Sequence, residues 1–137
     1  MERILHVDDE PDIREVSQMA LEAVGGFKVT SAASGMEALR QVGDCRPELI
    51  LLDVMMPGMD GPATLQALRR NPASAGIPII FMTAKVQQHE VDHYLALGAI
   101  GVIPKPFDPM CLADQIQKIY EGSQRRRAGA SPGAPHP

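Results

Sequence analysis

Two runs constrain this chain more than anything else in it. Leu49-Ile50-Leu51-Leu52 and Ile79-Ile80-Phe81-Met82 are apolar at every position. A strand with one wet face alternates apolar and polar residues. A strand apolar throughout is covered on both faces, which is the condition of a parallel sheet flanked by helices. Three further short runs, Arg3–Val7, Lys28–Ala32 and Gly101–Ile103, keep the same rhythm, and the fourth of the five begins at Ile77. Their starts lie roughly 20 to 30 residues apart, and each run is bounded by Gly, Pro or Asp.

Between the runs the period becomes helical. Ile13, Val16, Ala20 and Val24 fall on one face; Pro11 suits the first turn, and Gly25-Gly26 end the helix. Ser34-Gly35-Met36-Glu37 reads as a capping box opening a second helix. Gly61-Pro62 opens a third, with Leu65 and Leu68 on one face. A fourth is expected over Val86–Leu97, stopping at Gly98. Asp108-Pro109 opens a fifth, with Leu112, Ile116 and Ile119 as its stripe. Five β-then-α units predict an α/β chain, a doubly wound five-stranded parallel sheet with five helices.

A length of 137 residues, 45% of them apolar, suits one domain with a real core. The net charge of −4 is uneven: residues 1–122 carry ten basic against seventeen acidic residues, while the last fifteen carry three Arg and no acid. A body of that charge is a poor generic polyanion binder, so no nucleic-acid partner is expected. The opening Met-Glu-Arg-Ile is no signal peptide, and no run approaches the roughly 18 apolar residues of a membrane span. These features predict a cytoplasmic chain with no membrane contact. Cys45 and Cys111 form no disulfide framework and read as small apolar residues. From Gly122 the composition turns to Gly, Pro, Ala, Ser and Arg, so residues 1–121 read as the domain and 122–137 as a flexible low-complexity tail.

In an open α/β sheet, chemistry collects beyond the carboxyl ends of the strands. Asp8-Asp9-Glu10 follow the first run, Asp53 the third, Thr83 the fourth, and Lys105 the fifth. Asp8, Asp9 and Asp53 brought together repel one another unless a cation intervenes. No Cys or His stands among these positions, which disfavours zinc and favours a hard ion such as Mg²⁺. Carboxylates, a divalent ion, a hydroxyl and an amine together suit a phosphoryl group in transfer, with one carboxylate as nucleophile.

These segments resemble the receiver domain of bacterial two-component response regulators. The matching pieces are Ile4–Pro11, Leu51–Gly61, Pro78–Ala84, Gly98-Ala99 and Lys105-Pro106-Phe107. The resemblance implies a flavodoxin-like fold with strand order 2-1-3-4-5. It implies Asp53 as phosphoacceptor, charged from a phosphohistidine on a sensor histidine kinase or histidine phosphotransfer protein. It implies Mg²⁺ held by Asp8, Asp9, Asp53 and the backbone carbonyl of Met55, with Thr83 and Lys105 on the phosphoryl oxygens. A cis peptide is expected before Pro106. Such a chain is no enzyme beyond its own phosphorylation and dephosphorylation, and it signals through contacts with a downstream protein. Receivers usually carry an aromatic switch residue three positions before the lysine; here that switch position is Val102. With no output domain after it, the chain reads as a stand-alone receiver or a phosphorelay shuttle.

Other chemistries fit less well. His89-Glu90-Val91-Asp92-His93 matches the H-E-x-x-H pattern of zinc hydrolases, with Glu121 as a conceivable third ligand. The bland alternative is the solvated face of the fourth helix. A flavin carrier of the same sheet order wants a phosphate loop after the first strand, where this chain has acids.

Overall fold

The structure is a computed structural model, and it describes residues 1–129. The elements are β1 (Arg3–Val7), α1 (Pro11–Ala23), β2 (Lys28–Ala32), α2 (Gly35–Cys45), β3 (Leu49–Asp53), α3 (Gly61–Arg70), β4 (Ile79–Thr83), α4 (Gln88–Ala96), β5 (Gly101–Pro104) and α5 (Leu112–Gly129). All strands pair in parallel, in the order β2-β1-β3-β4-β5. The two all-apolar runs occupy the interior strands β3 and β4, where every residue is buried. Side chains alternate across the pleat, so the sheet feeds two cores. Leu5, Val7, Ile50, Leu52, Ile79 and Phe81 face one; Ile4, Leu49, Leu51, Ile80, Met82 and Ile103 face the other.

Local chemistry sets the helix ends. Gly26 takes φ 71° after α1, its amide donating to the Glu22 carbonyl at 3.1 Å, a conformation that favours glycine. Ser34 accepts from the Glu37 amide at 3.1 Å, and the Glu37 carboxylate accepts from the Ala33 amide at 3.1 Å. The reciprocal bond of the expected capping box thus falls one residue early. Asp60 caps α3 by accepting from the Ala63 amide at 2.9 Å.

Three expectations need correcting. α4 spans Gln88–Ala96, shorter than Val86–Leu97. α5 starts at Leu112, because Asp108 instead closes a turn: its carboxylate accepts from the Met110 amide at 2.9 Å and its carbonyl from the Cys111 amide at 3.0 Å. Cys111 is exposed in that turn. At its other end α5 continues to Gly129, so residues 122–129 of the expected tail are helical. Gln, Arg and Ala favour helix, the Arg126 and Arg127 cations complement the helix C-terminus, and Ser123 is buried. Residues 130–137 of that expected tail lie outside the described residues. Among the described residues no helix is long and apolar enough to cross a membrane.

Candidate functional site

Four strand ends converge at one rim of the sheet. The β1 ladder closes on a bond from the Asp8 amide to the Ala32 carbonyl at 3.0 Å, which turns the chain upward at Asp8-Asp9. Asp53 ends β3, and the loop after it turns at Gly58, φ 75°, before returning to α3. At Gly61 an added Cβ would lie 2.6 Å from the Asp53 carbonyl, so only glycine lets α3 start this close to the acid. Thr83 ends β4, and its hydroxyl accepts from the Lys85 amide at 3.0 Å, leaving its proton free to donate elsewhere. The Lys105 amide bonds to the Thr83 carbonyl at 2.9 Å, and the peptide to Pro106 is cis.

Asp8, Asp9 and Asp53 each offer a carboxylate oxygen within 4.8 Å of the others. Lys105 Nζ lies 2.8 Å from Asp8 Oδ2 and 3.1 Å from Asp53 Oδ1. The sequence placed Asp8, Asp9, Asp53, Thr83 and Lys105 at one rim, and the structure gathers the three acids there with Lys105 bonded to Asp8 and Asp53. Burial, then the neighbouring Asp8 carboxylate, push the Asp53 carboxyl up to about 6 against the pull of Lys105. Burial works to lower the Lys105 ammonium, but its bonds to Asp8 and Asp53 outweigh this and hold it above the usual lysine range. The site is thus short of positive charge. One ammonium faces three acids, and the donor set is all oxygen, which fits a hard divalent cation.

Two residues near the site escaped the sequence reading. Arg14 on α1 donates from Nη1 to the Asp8 carbonyl at 2.8 Å. His6 is fully buried on β1, and neither ring nitrogen has a hydrogen-bond partner. Burial lowers its pKa to about 4, so the ring is neutral. Neither was legible, because an Arg in a first helical turn looks solvated and a single His hides in an apolar run.

Met55, two residues past Asp53, is 64% exposed. Val102 is half-buried against the core and lines a groove of about 820 Å³ with Val86, Val91, Leu95, Arg126 and Arg127. His89 and His93 lie on the exposed side of α4. Among the described residues no third His, Cys, Asp or Glu joins them in a ligating group, so the zinc hydrolase pattern has no site.

A family model described as "Response regulator receiver domain" matches residues 4–117. The chain belongs to that receiver family. This receiver is 38% identical over 116 residues to the DNA-binding response regulator MtrA of Mycolicibacterium smegmatis, covering 85% of this chain and 49% of the relative. It is 35% identical over 128 residues to the response regulator Rre1 of Synechocystis sp., covering 93% and 54%. The receiver chain thus spans about half the length of these curated relatives. Among solved structures it resembles the chemotaxis response regulator CheY4 of Vibrio cholerae, with a TM-score of 0.80, 33% identity, and 87% and 98% of the two chains covered. The flavodoxin-like fold and strand order expected from the resemblance are those observed.

Proposed function

We propose that this receiver serves a two-component or phosphorelay system in the cytoplasm and takes a phosphoryl group onto Asp53 from a phosphohistidine. The observation that carries this is the position of Asp53. It is buried, in bonding distance of Lys105 and within 4.8 Å of two further carboxylates, at the rim where Thr83 ends β4. An Asp53 oxygen forms the bond to phosphorus as the P–N bond of the donor breaks, and the electron pair returns to the imidazole nitrogen. Lys105 and Thr83 meet the phosphoryl oxygens. Asp8, Asp9, Asp53 and the Met55 carbonyl would hold Mg²⁺, which supplies the missing positive charge to the acids and the transferring group.

The donor must present its histidine at this rim. Beside it a groove of about 390 Å³, lined by Ile13, Val16, Pro106, Phe107 and Pro109 with Glu10 and Asp12 at its edge, supports docking by a sensor histidine kinase or phosphotransfer protein. The chain's catalysis is then confined to its own phosphorylation and dephosphorylation. Incubation with acetyl phosphate and Mg²⁺, followed by peptide mapping, is expected to place one phosphoryl group on Asp53. Asp53→Ala is expected to abolish it. Unchanged labelling of that variant would refute the assignment.

Signalling passes from the site to a downstream protein through a change in packing. Val102, the switch position, has a small and stiff side chain, so no ring can move between buried and exposed positions there. Phosphorylation is therefore expected to alter α4, β5 and α5 less than in an aromatic-bearing receiver. The check is NMR with and without beryllofluoride: Val102→Tyr should respond more than the parent, and an equal response would sink the idea.

A further inference from the structure

Asp8 and Asp53 are held through their side chains, and the backbone that joins Asp8 to Asp9 is held by Arg14. β1 ends at Val7, and the Asp8 carbonyl lies past the last ladder bond, on a buried residue. A buried carbonyl needs a donor. Among the described residues its donor is Arg14 Nη1 at 2.8 Å, reaching back from the first turn of α1. The Arg14 amide bonds to the Glu10 carbonyl at 3.1 Å, so the base of the strut is fixed in the helix. The Asp8 carbonyl belongs to the planar unit joining Asp8 to Asp9. Fixing that oxygen fixes the plane, and the plane sets the direction in which Asp9 leaves. Asp9 is the half-exposed acid of the cluster, and among the described residues its carboxylate has no hydrogen bond of its own.

We propose that Arg14 is a positioning residue for the divalent-cation site, clamping the Asp8–Asp9 peptide so that the Asp9 carboxylate faces Asp8 and Asp53. This rests on reading the cluster as a cation site.

Two simpler roles for Arg14 give different signs. A guanidinium beside a cation site repels the cation, so if Arg14 acts only as a charge, its removal tightens binding. If it only stabilises the fold, removal lowers the unfolding temperature and leaves the affinity of the folded protein unchanged. As a strut, its removal weakens binding, because lost outer partners of metal ligands cost roughly 10- to 100-fold in affinity.

The experiment is Mn²⁺ binding to the full chain, read from the EPR signal of the free ion below each variant's unfolding temperature. Parent, Arg14→Met, Arg14→Lys and Asp9→Asn are compared, with Arg14→Gln in place of the Met variant should that not fold. Arg14→Met is expected to bind about tenfold more weakly, at the lower end of that range. Arg14→Lys keeps a donor and the charge and should lie nearer the parent. In the metal-free protein the Asp9 amide resonance should shift in Arg14→Met, since its peptide has lost its hydrogen bond. An Arg14→Met affinity equal to or tighter than the parent's overturns the proposal. A parent with no Asp9-dependent Mn²⁺ binding overturns the cation-site reading itself, and the two failures are told apart by the parent titration alone.

Discussion

β1 and β3 end side by side at the acid cluster, yet they deliver their carboxylates by different means. β3 is aliphatic from Leu49 to Leu52 and then presents Asp53, for which Lys105 at 3.1 Å is the one close partner among the described residues. β1 carries a buried histidine two residues before Asp8, and Asp8 is bonded on every side. Its Oδ1 accepts from the Glu10 amide at 2.9 Å, its Oδ2 from Lys105 at 2.8 Å, and its carbonyl from Arg14 at 2.8 Å. The difference divides the labour. A fully bonded carboxylate is a frame. An under-bonded one in a dry site, with its pKa pushed up to about 6, is a group waiting for a better partner, whether a metal or a phosphoryl group.

Lys105 bridges the two arms, so removing it breaks the comparison most severely. Lys105→Met leaves two buried carboxylates facing each other without a counter-charge. Losing one partner of a buried ion pair is expected to lower the unfolding free energy by about 3 kcal/mol in metal-free buffer. Mg²⁺ should recover much of that loss, since it replaces the missing charge. Urea denaturation with and without Mg²⁺ measures both. A loss under about 1 kcal/mol would mean that the Glu10 amide alone suffices for Asp8.

His6 sharpens the contrast by a smaller amount. Two unpartnered ring nitrogens in a dry site are a cost that Leu at this position removes, so His6→Leu is expected to gain about 1 kcal/mol at pH 7. The folded pKa, about 4, lies below the unfolded value of 6.5. The unfolded chain therefore takes up a proton that the fold refuses. Stability from neutral His6 is present above pH 6.5 and is lost as pH falls towards 4. The advantage of His6→Leu should accordingly widen to about 3 kcal/mol at pH 5, from the pH-linked part of the shift. A constant gap between pH 7 and pH 5 would show that the ring is hydrated.

Much of this molecule was readable beforehand, for identifiable reasons. The runs Arg3–Val7 and Lys28–Ala32 match β1 and β2 residue for residue, because Gly, Pro and acids bound them sharply. Asp53 and Thr83, read as the residues in which their strands end, are the last residues of β3 and β4, at the rim. Where propensity and punctuation disagree, the reading slipped. Asp108-Pro109 looks like a helix start but closes a turn, and Gly122 looks like a helix stop but lies inside α5. Arg14 was hidden for another reason. Its partner is a backbone carbonyl, and no sequence pattern marks a carbonyl left without a strand.

The division between the two carboxylates is tested most directly by the Asp53 side-chain carbon itself. Its Cγ resonance, followed by NMR as pH is varied in metal-free buffer, should titrate with a midpoint near 6. Saturating Mg²⁺ should move that midpoint downward, because a cation favours the charged form. A midpoint near the ordinary 3.8 and indifferent to Mg²⁺ would contradict the account, since Asp53 would then be neither desolvated nor facing a cation site.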